Sequence, residues 1–548
     1  MPDTMLKPFE GIGLCFSGGG YRATFFALGV VSYLNRINFE EAPLLNQVMA
    51  ISTVSGGTLL GVAYAKAAMA KNFNFDDFYR AFYNQFVPEN DKLLERAVAL
   101  LEKNEVWKNN AYKKRSLINA FALAYAEMDI FKGNFKIFKT AGPSKLKNVC
   151  FNATEFSYGL PFRFQNEGVF GNSPLKNKYM EAMEDQIQLS DIVASSSCFP
   201  IGFAPLLFPD DYFKNHQAPD YLKLKRHEDF QDGIGILDGG ITDNQGVESM
   251  LNIGGRKEVK GHFNLIMVND VASYRMEPWQ QDNGKITDKK SLRNTLKGIL
   301  RWFGVQPLYW ILLLAGMLLL ALSFFNVFPT VSSAITYTIG GVLVGVGGLL
   351  TALGSFLSNI KNNMLTKLNG LIKKNVPEVL MDDVLSFQRL EIGLVKRMLV
   401  DRGTSGLKMI NEVFLKQIRR LNYRVLYMEP DLENKRITST VYQLNGEKSP
   451  YGNNKFNTEI KPTPSKSLTQ TSLVASETPT TLWWDEKDIA LNRMDCLIAC
   501  GQFTSCYNLL DYVLNLKKDG ITSPALQKMQ TALEKDWVLF NKDPFRWV

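Results

Sequence analysis

Histidine is almost absent from this chain: His216, His227 and His262 are the three in 548 residues. His216 and His227 lie in a polar stretch of Asp, Lys and Asn, and His262 opens an apolar run. None follows a strand end as the histidine of a Ser-His-Asp triad does, so chemistry that needs an imidazole base is not expected. Basic tracts are also missing. Lys and Arg number 62 against 54 Asp and Glu, a net charge of +8, but they are dispersed. That distribution argues against nucleic acid as a partner and is compatible with an anionic membrane surface. No Gly-Lys-Ser/Thr follows a glycine-rich turn, which excludes a P-loop, and no carboxylate cluster has calcium-loop spacing. The six cysteines are Cys15, Cys150, Cys198, Cys496, Cys500 and Cys506. They are scattered, and the three that cluster have no histidine beside them. Buried free thiols of a reducing compartment are expected, rather than a zinc site or a disulfide framework. No metal or cofactor is expected. Met1 to Gly11 lacks the apolar core of a signal peptide.

What is present is an ordinary globular composition, 46% hydrophobic and 21% charged, which excludes wholesale disorder. The length predicts two or three domains. Two uncharged runs stand out, Leu308–Phe325 and Ala334–Leu357, separated by a polar break at 326–333 that contains Pro329. Each is long enough to cross about 30 Å of hydrocarbon. The short break makes them an antiparallel transmembrane hairpin, with Gly340, Gly341, Gly345, Gly347 and Gly348 letting the backbones approach. Lys290, Arg293, Lys297 and Arg301 precede the first run, and Lys361, Lys367, Lys373 and Lys374 follow the second. The break carries no charge, so the positive-inside rule puts both long flanks in the cytoplasm. A buried helical hairpin of a soluble core is the alternative reading.

The first third has a βαβα rhythm. Ile12–Ser17 is an apolar strand, Tyr21–Asn35 a helix, Val48–Val54 a second strand and Leu59–Ala70 a second helix, which predicts a parallel sheet. A helical insertion over about 73–131 interrupts it, either as a cap on the core or as a lid. Strand signals resume at 148–154 and 162–166, then at Ile234–Leu237 and Phe263–Val268. After the hairpin, 361–430 is expected to return to the catalytic fold through a helix, 411–421, and a last strand, Arg424–Met428. Residues 431–480, rich in Ser, Thr, Pro and Asn, are expected to be a loose loop, and 481–548 a helical C-terminal segment.

Three local patterns carry chemistry. In Thr53-Val54-Ser55-Gly56-Gly57 a buried strand stops at a serine and a helix starts, a turn that displays Ser55 at the helix N-terminus. In Ser17-Gly18-Gly19-Gly20-Tyr21-Arg22 three glycines let amides converge on an oxyanion, and Arg22 either reinforces that site or caps the loop. In Asp238-Gly239-Gly240 an acid follows a strand directly. A serine needs a proton acceptor, and Ser55 lacks the Ser-x-x-Lys spacing, since Thr58 stands there. Asp238 is the remaining candidate, on condition that its carboxylate is partly desolvated or acts as charge develops. Ser196 and Ser197, in the small-residue loop Ala194–Pro200, are candidate wall residues.

Together these motifs resemble the patatin-like phospholipase family. The resemblance covers Gly11 to about Val268: Gly18-Gly19-Gly20-x-Arg22, Ser55-Gly56-Gly57, Ala153-Thr154, the loop Ala194–Pro200, and Asp238-Gly239-Gly240. The family's glycine two before the serine is Thr53 here, and the Ser-Gly-Gly half looks like the cytosolic-phospholipase branch. The resemblance implies an α/β fold, a mixed or parallel sheet flanked by helices, with a catalytic domain over 1–300. It implies a Ser55–Asp238 dyad acting on acyl esters of membrane phospholipid or lysophospholipid, with Gly18, Gly19, Gly20 and Arg22 around the oxyanion. With the hairpin at 301–360, the expectation is a membrane-anchored lipid acyl hydrolase. A transacylase using the same dyad and a catalytically dead membrane scaffold are the alternatives. The sequence does not fix an oligomeric state.

Overall fold

The computed structural model describes residues 7–140, 142, 144–200, 202–256, 263–273, 279, 306–325, 327, 333–375, 391–446 and 463–548. The chain divides into two compact units, residues 1–276 with 411–548, and residues 277–410.

The first unit is built on eight described strands: β1 (Ile12–Phe16), β2 (Val48–Val54), β3 (Asn148–Glu155), β4 (Pro161–Gln165), β5 (Leu206–Phe208), β6 (Ile234–Asp238), β7 (Leu265–Asp270) and β8 (Arg436–Thr440). Their order is β8-β7-β1-β2-β3-β6-β5, with β4 also paired to β3. The five strands from β8 to β3 run parallel, as the βαβα rhythm implies. β4 and β6 are antiparallel to β3, and β5 to β6, so the sheet is mixed. Every residue of β1, β3 and β7 is buried. Such two-sided burial is why β1 and the first four residues of β7 read as continuous apolar runs rather than alternating ones.

Helices α1 (Gly20–Arg36), α2 (Gly56–Ala68) and α3 (Phe75–Phe86) follow the first strands. The insertion is packed down as a cap at α3. There Phe78, Phe82 and Phe86 are buried at helical spacing, and Phe82 and Phe86 set their rings against Phe25 at 6.3 and 6.1 Å. The further helices that matter here are α4 (Leu189–Ser196) and α5 (Val247–Gly254), then α6 (Pro307–Phe324) and α7 (Ser333–Asn375) in the second unit. α8 (Leu415–Met428), α9 (Lys466–Ser476), α10 (Arg493–Lys518) and α11 (Pro524–Lys542) belong to the first unit again. The C-terminal helix α10 is part of the core. A Cβ on Gly29 of α1 would stand 2.0 Å from the Ile498 carbonyl, and one on Gly501 of α10 would stand 2.1 Å from that of Phe26. Only glycine at both positions lets these two backbones touch.

Two expectations are corrected. Arg424–Met428 is not a strand: it ends α8, whose period places Arg419, Asn422, Tyr423 and Leu426 on one face. That face is held by bonds from Arg419 Nε and the Tyr423 hydroxyl to Asp270 and from Asn422 to Asp243. The last strand is β8, beside β7. Residues 431–480 are accordingly not one loose loop. They contain β8 and α9, the latter buried through Leu468, Thr471, Ser472 and Ala475.

In the second unit, α6 and the stretch Ala334–Ile360 of α7 are long and apolar enough to cross a membrane, and only 11% and 17% of their apolar windows is buried. They form an antiparallel pair. Ser323 bonds to Thr336 at 2.6 Å, Gly316 lies against Gly340 and Val344, and Gly347 lies against Leu313. Of the five glycines named above, Gly340 and Gly347 pack at this seam, two turns apart. Gly341 and Gly345 face open space. Gly316, on the other helix, completes the seam. The basic residues Lys290, Arg293, Lys297 and Arg301 lie outside the described residues.

Candidate active site

The strand order brings the three patterns to one end of the sheet. β1 and β2 are parallel neighbours, so the turn after Phe16 and the turn after Val54 emerge side by side. β3 adjoins β2, and Ala153 of β3 pairs with Asp238 at the end of antiparallel β6. Gly18 and Ser55, 220 and 183 positions before Asp238 in the chain, thus converge on it.

Ser55 has φ 49° and ψ −123°, a conformation outside the regions that side-chain-bearing residues favour. Such strain persists only where neighbours fix it. Here the Ser55 amide donates to the Ser196 hydroxyl at 2.8 Å. Ser196 in turn donates to the Asn152 carbonyl at 2.6 Å. With its one proton so used, Ser196 accepts from Thr58 at 2.8 Å, and Thr58 accepts from Thr53 at 2.9 Å. A directed chain of hydroxyls therefore braces the elbow. Thr53 fits because the residue two helical turns on is Gly61: a Cβ there would lie 2.6 Å from Thr53 Cγ2.

The first turn of α2 also depends on glycine. A Cβ on Gly56 would meet the Gly20 carbonyl at 2.0 Å, and one on Gly57 the Phe16 and Ser17 carbonyls at 2.7 Å. The elbow thus presses directly on the glycine-rich turn. Gly18 lies beside the serine, where an added Cβ would stand 3.2 Å from Ser55 Cβ. Gly19 (φ 140°) and Gly20 (φ 52°) take conformations that other residues rarely adopt.

Asp238 is 2% exposed. Burial pushes its pKa up from the ordinary 3.8 to about 6, against the lowering effect of the nearby Ser55 side chain and of the Gly240 amide, which donates to it. The Gly240 bond is 2.7 Å. The Ser55 side chain is thus near enough to Asp238 to act on its pKa, and the carboxylate is desolvated. The brief segment Ser196–Cys198 sets their relative position. Besides the Ser55 amide, it takes the Asp238 N–H on the Cys198 carbonyl at 2.9 Å and the Gly239 N–H on the Ser196 carbonyl at 3.4 Å. Ser196 is thus a brace, not a wall residue.

Two of the expected oxyanion groups are engaged with other partners. The Gly18 amide is committed to the Asn244 carbonyl at 2.9 Å. Arg22 donates from Nη1 to the Ser476 carbonyl of α9 at 3.0 Å, and burial lowers its pKa to about 10, opposed by Asp270. It fastens α1 to α9. The amides of Gly19 and Gly20 have no recorded partner among the described residues. The Gly56 amide, first in α2, lacks an intrahelical partner by the geometry of every helix start. Gly56 was legible as a donor from the helix N-terminus rule. Asn244, whose Oδ1 fills the space between Gly18 and Gly240, had no sequence signal.

His216 bonds to the Asp210 carbonyl and stacks on Tyr221, and His227 pairs with Asp229, so both have partners apart from Ser55. His262 lies outside the described residues. All six cysteines are buried. Among the described residues no group of three His, Cys, Asp or Glu could hold a metal.

The mixed sheet, the strand-to-helix elbow and the glycine-rich turn define an α/β protein. Residues 14–251 match the family model described as patatin-like phospholipase. The matched stretch contains Gly18–Gly20, Ser55 and Asp238. No curated protein matches the chain. Among solved structures it is similar to that of VipD from Legionella pneumophila, with 11% identity over 98% of this chain and 91% of that one. The TM-score is 0.22, too low to support any argument.

Proposed function

We propose that this protein is a membrane-anchored lipid acyl hydrolase of the phospholipase A or lysophospholipase type, working through a Ser55–Asp238 dyad. The observation that carries the reading is a strained serine turn beside a buried carboxylate whose pKa is raised to about 6 by burial and lowered in part by the Ser55 side chain. Near pH 7 that carboxylate is ionised yet more basic than a solvated one, as a proton acceptor should be. Ser55 Oγ attacks the ester carbonyl while Asp238 takes its proton. The amides of Gly19, Gly20 and Gly56 face the developing oxyanion, where one such donor is worth roughly 3–4 kcal/mol. Asp238 returns the proton to the leaving alcohol, giving an acyl-Ser55 ester. It then takes a proton from water, which releases the fatty acid and restores the hydroxyl.

The two apolar helices support anchoring. They are little buried in the protein and pack as a hairpin through Gly316, Gly340 and Gly347. With Lys361, Lys367, Lys373 and Lys374 after the second span, the basic flanks favour a cytoplasmic catalytic domain. Anchoring also raises the effective concentration of a substrate that resides in the bilayer.

Mass spectrometry of the products from phospholipid and lysophospholipid vesicles tests the reading. Free fatty acid released by the wild-type chain, and lost in Ser55→Ala and Asp238→Asn, is the expected result. Turnover that persists in both variants would refute it.

A further inference from the structure

Two uncharged segments border the site. After Ala153, which pairs with Asp238, β3 runs on for two residues and turns through Phe156-Ser157-Tyr158-Gly159-Leu160. Three residues at about 3.3 Å each carry Phe156 roughly 10 Å past the level of Asp238. Phe156 is 67% exposed, Tyr158 52% and Leu160 38%. The exposure is built in. The buried Glu155 carboxylate accepts the amides of Ser157 (2.7 Å), Tyr158 (3.0 Å) and Leu160 (3.2 Å), and Gly159 supplies a φ of 68°. The turn is therefore held rigid with its apolar side chains outward.

The second segment follows Cys198, whose carbonyl holds the Asp238 amide. From Phe199 to Pro205 it carries no charge. Phe203 leans on Phe121 at 5.5 Å, and Ala204 and Pro205 are exposed. The two segments meet at Gly235: Pro205 Cβ and Phe156 Cβ lie 3.2 and 3.3 Å from where a side chain there would begin. The only charges described against the turn are Glu155, buried beneath it, and Asp229, which takes the Tyr158 hydroxyl at 2.9 Å, with Glu228 beside it.

We infer that Phe156, Tyr158, Leu160, Phe203, Ala204 and Pro205 form one rim that docks on the surface of a bilayer at the mouth of the site. Apolar bodies with a single polar tip, Tyr158, suit the boundary between headgroups and acyl chains. The acidic border favours a zwitterionic surface over an anionic one. A bilayer is favoured over a protein partner because the rim borders a site whose ester substrate, on the proposed function, arrives from lipid. The inference rests on the lipid hydrolase reading and adds to it a contact separate from the two apolar helices.

The test uses the full chain in phosphatidylcholine vesicles. Because all six native cysteines are buried, Phe156→Cys offers one exposed thiol for an environment-sensitive dye. Lys147→Cys, exposed just before the other end of the same strand and about 30 Å away, is the control. The dye at 156 should brighten at least twofold and be quenched by spin-labelled acyl chains, while the dye at 147 is not. A dye at 156 that is unquenched, or a thiol there that fails to react because other protein covers it, would overturn the inference. This readout needs no turnover, so it can fail while the hydrolase reading stands. Phe156→Glu should lower the ratio of vesicle-lipid to monomeric short-chain ester turnover about tenfold, a change of about 1.4 kcal/mol. An unchanged ratio would overturn it equally.

Discussion

Replacing Asp238 by Asn should abolish activity and stabilise the protein, by an amount that the pKa fixes. The carboxylate titrates near 3.8 when solvated and at about 6 in the fold, because burial penalises its charge more than the Ser55 and Gly240 donors relieve it. The folded state therefore binds the proton more tightly than the unfolded state. Below pH 3.8 both states are protonated and the group favours the fold fully. As pH rises from 3.8 through about 6 the unfolded state ionises first, and that stability is lost. Roughly two pKa units correspond to about 3 kcal/mol at pH 7. Asparagine is uncharged at every pH, nearly isosteric, and retains an oxygen to accept the Gly240 amide. Asp238→Asn should thus unfold at a higher temperature than wild type at pH 7–8. The gap should narrow between pH 6 and pH 4 and close below. Thermal unfolding of both proteins across pH 4–8 in the same detergent reads this directly. A gap that does not change with pH, or a less stable variant at pH 7.5, would refute the claim that Asp238 is a desolvated carboxylate.

Activity itself should rise with pH and level off above an apparent pKa near 6, since the ionised form of Asp238 is the acceptor; a rate that does not change from pH 5 to 8 would contradict this. Gly61→Ala should cost about 1–3 kcal/mol by overpacking against Thr53, and adding Thr53→Gly should restore much of the loss. Additive effects in a double-mutant cycle would show that the two positions do not share that space. Ser196→Ala should leave the Ser55 amide unpartnered and slow the reaction of the serine with a fluorophosphonate, at a stability cost of about 1–3 kcal/mol. An unaltered reaction rate would mean that the hydroxyl chain does not hold the elbow.

The elbow, the glycine-rich turn and the Asp238 turn were legible because each is local: a buried run ending in small residues dictates a turn whatever lies around it. Their convergence was legible only through the family resemblance, since Gly18 and Ser55, 220 and 183 residues from Asp238, are joined to it by strand order and not by spacing. The brace Ser196–Cys198 and the compensating pair Thr53–Gly61 escaped because they depend on which helix faces which strand. The last strand was misplaced for a related reason. Arg436–Thr440 is polar with only Ile437 strongly apolar, as suits an edge strand with alternate residues half-buried. Arg424–Met428 has the better strand composition yet completes a helix, whose polar face is fixed by Asp270 and Asp243. Arg22, adjoining the glycines in sequence, points to Ser476, a partner 454 residues away.

Labelling with a fluorophosphonate, followed by peptide mapping, tests the central claim most directly. The account predicts a single adduct on Ser55 in the wild-type chain, its yield falling at least a hundredfold in Asp238→Asn while the variant remains folded. An adduct on another serine, or full labelling of Ser55 without the Asp238 carboxylate, would contradict it.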